Sequence, residues 1–413
     1  LRFDARLEGD ADNSGARWTL TGQNFDGLSM LAPQLTASGD LRFAMNGATT
    51  GAAHATLTQA RLDGEAQDTL RDAFPNLADT PIGPTFAAAE GALVSAAQRF
   101  DVTVPLDLSI DGAGTRVTVS APVEARAATG AVLRLEPLRT DSPTLVMQWP
   151  GAALHGAAAL NLSGGGAPRT ALLLDSVDWA PGAPFEADGT LTLADWRADN
   201  ASIATNELAV ALSVAPDGAG RLELRGPANI TGPVGDGEVR NMVAALDLAV
   251  LWSRGWQVVP NGCVPIRMGG LDAAGLSFSD GAFSLCPTGD ALIAADAGRN
   301  LSGGFSIRSL ALNGRMAGPE AQPAQLAADS LTGQFRGVTD NITLALRAAR
   351  PRLSIEMGDE HRLALALQSA AANARIGGGA WSIEGDFEQG TLNDRSLPGV
   401  VTTIAGQWRA APR

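Results

Sequence analysis

Apolar and polar residues alternate with period two through most of this chain. Successive side chains of a β-strand face opposite sides, so an alternating segment has one apolar face and one polar face. Leu41-Arg42-Phe43-Ala44-Met45 is one case, Leu191-Thr192-Leu193 another, and Leu208-Ala209-Val210-Ala211-Leu212-Ser213-Val214 a third. Leu222-Glu223-Leu224-Arg225, Leu246-Asp247-Leu248-Ala249-Val250, Leu344-Ala345-Leu346-Arg347 and Leu363-Ala364-Leu365-Ala366-Leu367-Gln368 continue the series. The pattern predicts a mainly β chain of antiparallel sheet with one solvated side. Its plainest form is a sandwich whose apolar side faces a core.

The turns fit a meander. Asp111-Gly112-Ala113-Gly114 and Asp217-Gly218-Ala219-Gly220 repeat the same letters between alternating runs. Asp-Gly supplies the positive backbone angle that tight hairpins need. The 48 Gly and 23 Pro punctuate these runs, short of the share that marks a low-complexity chain. Pro105, Pro122, Pro137 and Pro143 fall in or beside strand-like runs, which predicts edges, bulges or strand starts. The spacing between units is irregular, unlike the fixed coil length of a stacked solenoid.

One stretch breaks the alternation. Leu62, Ala66, Leu70 and Phe74 sit four apart, the spacing of one helix face, and Pro75 ends that helix. A second helix is expected from Thr85, a capping residue, through Phe86, Ala89, Leu93, Ala96 and Ala97. The chain thus divides into a β segment at 1–60, a helical hairpin at 61–100 and a β segment at 101–413.

Composition excludes several chemistries. All 30 basic residues are Arg, so neither a Walker A loop nor Schiff-base lysine chemistry is available. A net charge of −14 argues against nucleic acid as a partner. His54, His155 and His361 lack metal-ligand spacing, no Gly-x-Ser-x-Gly elbow occurs, and Gly164-Gly165-Gly166 and Gly377-Gly378-Gly379 are loops. Asp101, Asp107 and Asp111 are the wet face of a strand rather than a carboxylate cluster. The eight Trp do not interleave with basic clusters, as base stacking requires. No enzyme activity, metal or cofactor is expected. No apolar run of about 18 residues exists to cross a membrane as a helix. The first residues alternate as if inside a strand, and the chain is expected to be a fragment of a longer protein.

The two cysteines, Cys263 and Cys286, lack a zinc or thioredoxin-like spacing. They are read as a disulfide across a hairpin that turns before Asp280-Gly281, which implies an oxidising compartment. Two independent buried thiols are the alternative.

Several of these features occur together. They are the short alternating strands, the helical pair with Asp79-Thr80-Pro81-Ile82-Gly83-Pro84, and the hairpin of Cys263 and Leu285-Cys286-Pro287. Near the end come Asp394-Arg395-Ser396-Leu397-Pro398-Gly399 and Ile404-Ala405-Gly406-Gln407-Trp408. Together they resemble the YdbH branch of the AsmA-like intermembrane lipid transport proteins, relatives of TamB. The resemblance implies a long, twisted antiparallel β-sheet curled lengthwise into an open hydrophobic groove that conducts phospholipids across the Gram-negative periplasm. About twenty-five strands at about 4.8 Å each would extend on the order of 120 Å. It further implies phospholipid acyl chains as ligands and an inner-membrane anchor preceding this segment. A small outer-membrane lipoprotein that adds a strand to the C-terminal sheet is the implied protein partner. The groove-lining candidates are then Leu191, Leu193, Leu208, Val210, Leu212, Val214, Leu222, Leu224, Leu246, Leu248, Leu344, Leu346, Leu363, Leu365 and Leu367. A structural or adhesive cell-surface β-solenoid is the alternative, and a polysaccharide-active β enzyme a third reading that needs paired carboxylates.

Overall fold

The computed structural model describes residues 2–9, 14–27, 29–45, 47–72, 80–119, 122–138, 144–234, 237–273, 275–297, 300–316, 321–338, 341–356, 362–377, 380–394 and 400–410. Phe74, Pro75, Asp79, Pro143, His361 and the stretch 395–399 lie outside them. The protein is mainly β; the described residues form two short helices and an antiparallel sheet. Contacts divide it into two compact units. The first comprises Leu1–Leu77, Pro84–Ala198 and Ala204–Gly218, and the second Ala78–Gly83, Asp199–Ile203 and Ala219–Arg413.

The first unit opens with β1 (Arg2–Gly9), β2 (Ser14–Gly27), β3 (Met30–Phe43) and β4 (Thr49–Leu62). Helices α1 (Gly64–Asp72) and α2 (Gly83–Ala97) follow in sequence. Then come β5 (Phe100–Asp111), β6 (Gly114–Val119), β7 (Val123–Ala127), β8 (Val132–Pro137) and β9 (Leu145–Trp149). The last strands are β10 (Ala153–Ser163), β11 (Thr170–Trp179), β12 (Phe185–Ala198) and β13 (Ala201–Val214), of which Ala201–Ile203 count with the second unit. Strands β1 to β5 pair in sequence order. Strand β5 then pairs β6 along one half and β7 along the other. Strand β10 closes the pattern by pairing both β8 and β9. Pro105 pairs with His54 on β4 and lies where β6 and β7 leave a gap on the other side. Its missing N–H therefore breaks no ladder.

The second unit begins with β14 (Gly220–Val234), β15 (Gly237–Trp252), β16 (Trp256–Pro260), β17 (Val264–Ala273), β18 (Leu276–Pro287) and β19 (Ile293–Ala295). It continues with β20 (Asn300–Met316), β21 (Pro323–Val338), β22 (Asn341–Ala349), β23 (Arg352–Glu356) and β24 (Arg362–Ala366). It ends with β25 (Ser369–Gly377), β26 (Ala380–Asp394) and β27 (Val400–Ala410). Long strands again alternate with divided ones: β21 pairs β22 and β23, and β26 pairs β24 and β25.

A row of bends explains the division. Asn241, Asp280, Ser309, Gln389 and Thr403 all have positive φ, from 49° to 64°, inside strands. By register, Asn241, Gly269 and Asp280 stand level in β15, β17 and β18. Ser309 stands level with Asp329, beside the break between β22 and β23. At that break the Arg350 amide donates to the Gln368 carbonyl, and the Leu367 amide to the Pro351 carbonyl. In the first unit Asn24, Gln59 and Glu207 bend β2, β4 and β13 in the same way. A bulge bends its strand and sharpens the twist, so each unit carries a crease across its strands. Side chains from both arms of the crease pack together on one face in the cluster of Val239, Met268, Phe278 and Leu312.

Three local expectations change. Strand β3 ends at Phe43, leaving Met45 in an exposed turn. Leu62 closes β4, and α1 starts after Asp63, whose carboxylate accepts the Ala66 amide at 2.8 Å; the capping aspartate outranks the four-residue spacing. Helix α2 starts at Gly83, so Thr85 lies inside its first turn, fully buried, rather than at its cap. Pro84 takes the second helical position, where its missing N–H has no partner to lose. The two Asp-Gly-Ala-Gly sequences also fold differently. Asp111 pairs Gly114 across a two-residue hairpin loop, whereas Asp217 sits in a longer connection closed by Gly218 donating to Ala215.

Candidate functional site

Directly paired residues of antiparallel strands project from the same side of the sheet, so the registers carry a face from one strand to the next. In the second unit one face runs from Leu222, Leu224, Gly226 and Ala228 on β14 to Val250, Leu248, Leu246 and Ala244 on β15. It continues through Pro260 and Val258 on β16 and Ile266 on β17. Along β21 and β22 it holds Phe335 and Leu344, then Gly333 and Leu346. Across the crease the same face holds Leu326, Leu353, Leu365 and Leu392 in successive strands. Among the residues of this unit that the registers pair, Asp394 at the end of β26 is the one charged residue on that face. The paired Arg, Glu and other Asp project from the opposite side.

The first unit repeats the arrangement. Ala60 and Leu57 on β4 face Phe100 and Val102 on β5, in a cluster with Ala32, Phe25 and Leu35. The face passes through Ala125 and Leu133, then Leu162 and Leu160, then Leu172, which is opposite Leu191. Leu193 is two residues on and shares that side. Beyond the bulge at Glu207, Leu208, Val210, Leu212 and Val214 alternate on one side of β13.

Position in the fold separates the candidates. Leu208 is 3 % exposed and belongs to the packed interior rather than an open surface. Leu367 lies outside any strand, in the break between β24 and β25, where its Cδ2 meets Gly390. The ladder of β24 ends at Ala366, before the alternating run does. All the other candidates lie in strands and are half-buried. They are too exposed to be a filled core and too apolar for a solvated surface.

A feature missed from sequence is a reciprocal pairing of glycine and aromatic residues on this face. Phe305 is opposite Gly333, and Gly303 is opposite Phe335. Gly385 is opposite Trp408, and Phe387 opposite Gly406. In each pair the ring lies over the glycine, where a Cβ would collide with it. Trp252 covers Gly220 in the same way. Glycine leaves a strand position bare, and the cross-strand ring covers it. The signal is Gly-x-aromatic in both strands of a pair, and it has meaning only once the partner strand is known.

The polar face carries the ionic groups. Arg225 bridges Glu223 and Asp247, and Asp329 holds both Arg350 and Arg352. Asp272 accepts from the Ser277 hydroxyl and from Arg240. These two bonds, Ser277 first, hold its carboxyl below the usual carboxylate range, while the Asp272 hydrogen bond raises the Arg240 guanidinium. Asp101, Asp107 and Asp111 are exposed on β5, as expected of a wet face, and His54 and His155 are exposed too. No group of His, Cys, Asp and Glu able to hold a metal occurs among the described residues. Cys263 and Cys286 form a disulfide. The neighbours Val264 and Leu285 are paired on the apolar face, so the disulfide projects from the polar face, with Cys263 exposed.

No family model, curated protein or solved structure matches this chain.

Proposed function

We propose that this chain is part of a lipid transfer protein that carries phospholipids across the periplasm between inner and outer membranes, with their acyl chains on the apolar face. One observation carries the reading: a half-exposed, nearly charge-free face continues from strand to strand in each unit. Each acyl methylene removed from water there is favoured by about 0.8 kcal/mol, while the head group keeps its hydration at the open side. Uniform aliphatic lining offers no single deep site, so a chain is free to slide. Rings over the paired glycines cover positions that would otherwise be bare. The Cys263–Cys286 disulfide suits an oxidising compartment, and the resemblance to the YdbH branch points the same way.

The test uses photo-crosslinking residues at Leu346 and at its neighbour Arg347, which project from opposite faces. Lipids are extracted and the protein is weighed by native mass spectrometry. Phospholipid in the purified protein, crosslinked from position 346 and not from 347, is the expected result. A lipid-free protein, or equal labelling from both positions, overturns the proposal.

A further inference from the structure

The polar face of the second unit carries a hollow that acyl-chain binding does not use. Strand β18 ends at Pro287 and β19 begins at Ile293, and the loop between them closes on a single residue of β20. The Thr288 amide donates to the Gly304 carbonyl, and the Gly304 amide to the Leu292 carbonyl, each at 3.2 Å. A Cβ on Gly304 would collide with Thr288 Oγ1, so Thr288 lies over this glycine. The disulfide of Cys286, just before Thr288 in the chain, ties down the base of the loop.

Between this loop and strands β20, β21, β22 and β25 lies a depression of about 490 Å³, a size that suits a small molecule. Its lining follows the registers of the polar side. Gly304, Gln334, Ala345 and Asn373 form one row, and Ser302, Arg336 and Thr343 form the next. Gly304 and Ala345 leave the floor low among the longer Gln334, Arg336 and Asn373.

The chemistry of the lining is one-sided. Among the described residues no Asp or Glu lines the depression, in a chain of net charge −14. Asp290, in the loop, is exposed and is not part of the lining. Arg336 is exposed, and its guanidinium has no hydrogen-bond or ion-pair partner among the described residues. Elsewhere on this face Arg225, Arg240, Arg350 and Arg352 each pair with a carboxylate. The Thr288 and Ser302 hydroxyls and the Gln334 and Asn373 amides are likewise unpaired among the described residues. Thr343 is committed, its hydroxyl donating to the Arg336 carbonyl at 3.1 Å. A neighbouring depression of about 740 Å³ shares Arg336 but contains Asp296, so the acid-free one is the seat for negative charge. A carboxylate offers two oxygens in one plane, which a guanidinium satisfies by itself. A phosphoryl group offers three strong acceptor oxygens, and it suits a guanidinium with further hydroxyl and amide donors around it.

We infer that this hollow binds a phosphate monoester with a small polar body, its phosphoryl oxygens on Arg336 and its body along Gln334 and Asn373. The site is on the face opposite the acyl-chain surface and does not rest on the lipid-transfer reading. The same monoester occurs free, as in glycerol 3-phosphate, and as a lipid head group, in phosphatidic acid.

Two arms of one experiment separate these sources. In the first, glycerol 3-phosphate is titrated into the native chain by calorimetry, with glycerol as the uncharged control. In the second, the chain is floated with phosphatidylcholine vesicles that contain or lack phosphatidic acid. Glycerol 3-phosphate is expected to bind once per chain and glycerol not at all, and Arg336→Gln should weaken binding about tenfold or more. Arg347→Gln should leave it unchanged, because Arg347 is exposed on the same face but outside the hollow. Flotation that requires both phosphatidic acid and Arg336, without binding of the soluble ester, supports the site and assigns it to a lipid head group. Binding in neither arm, or equal weakening by Arg336→Gln and Arg347→Gln, overturns the proposal. Phospholipid carried by the chain would then still stand on the apolar face alone.

Discussion

The ring of Phe305 lies over Gly333, its direct partner on the neighbouring strand. Neither residue alone specifies the surface. The ring occupies the space a Cβ would take, and without the ring the glycine position would be bare. Gly333→Ala is expected to destabilise the protein by about 1–3 kcal/mol, as overpacking does. In a Phe305→Ala background the same change should be close to neutral. Denaturation midpoints of the two single variants and the double variant measure the coupling, expected at about 0.5–3 kcal/mol. Additive effects would mean that the ring does not rest on Gly333.

Leu208 and Val210 are two residues apart on the same side of β13, yet only Leu208 is buried. Leu208→Ala leaves a cavity and should cost about 2–5 kcal/mol. Val210→Ala trims a half-exposed side chain and should cost less than about 1 kcal/mol. Urea denaturation of the two variants checks the contrast. Equal losses would mean that Val210 is packed as tightly as Leu208 and is closed to a ligand.

Much of this was legible in the residues. Leu222 and Leu224 read correctly as one face because a strand has period two, and Leu246 and Leu248 on the next strand fall beside them. The bends were not legible. Asn24, Asn241 and Asp280 are types that tolerate positive φ, but Gln59, Glu207 and Ser309 give no such warning. Each bulge resets the parity, so alternation within a run fixes faces locally and the register must carry them across. Leu367 shows the limit: its alternating run continues for two residues past the end of β24, because apolar spacing does not record where the ladder breaks. The disulfide was legible as a pair, since only two cysteines exist. Its side of the sheet followed only from the burial of Val264.

The Cys263–Cys286 bond lies on the polar face and closes a loop with a sequence separation of 23. In the chain-entropy picture a loop of this size contributes about 3 kcal/mol. A dithiol reductant should therefore reach it in the folded protein, because Cys263 is exposed. Cys263→Ser with Cys286→Ser should lower the denaturation midpoint by that order and leave lipid loading unchanged. Thiol alkylation under native conditions reports the first point, and native mass spectrometry the second. Loss of bound lipid on reduction would mean that the bond shapes the apolar face as well.

Asp272 is held as a carboxylate by Ser277 and Arg240. Its folded pKa is lowered, so its contribution to stability is present above the ordinary carboxylate value, about 3.9, and is lost as pH falls through the folded value. Wild type should exceed Asp272→Asn by a constant margin above about pH 5 and converge with it in more acidic solution. The margin itself should be small, because both partners are more than a third exposed. Urea midpoints across an acid series check the convergence. A margin that widens with acid would reverse the sign and remove the ion pair from the account.

Leu346 and Arg347 are adjacent on β22 and project from opposite faces, with Leu346 half-buried and Arg347 exposed. A carboxylate at position 346 stands where acyl chains are proposed to lie, and burying it against them without a partner is unfavourable by several kcal/mol. The fold tolerates the charge better than the ligand does, since water reaches position 346 when no lipid covers it. Leu346→Asp should reduce bound phospholipid about tenfold or more, a change worth about 1.4 kcal/mol. Leu344→Asp should act alike, being on the same face one pleat away. Arg347→Asp changes the charge by more and should leave lipid loading intact. Circular dichroism controls for folding, and lipid per protein is counted in native mass spectra. Equal loss in Leu346→Asp and Arg347→Asp would make the effect one of net charge, and the apolar face would no longer be the ligand's seat.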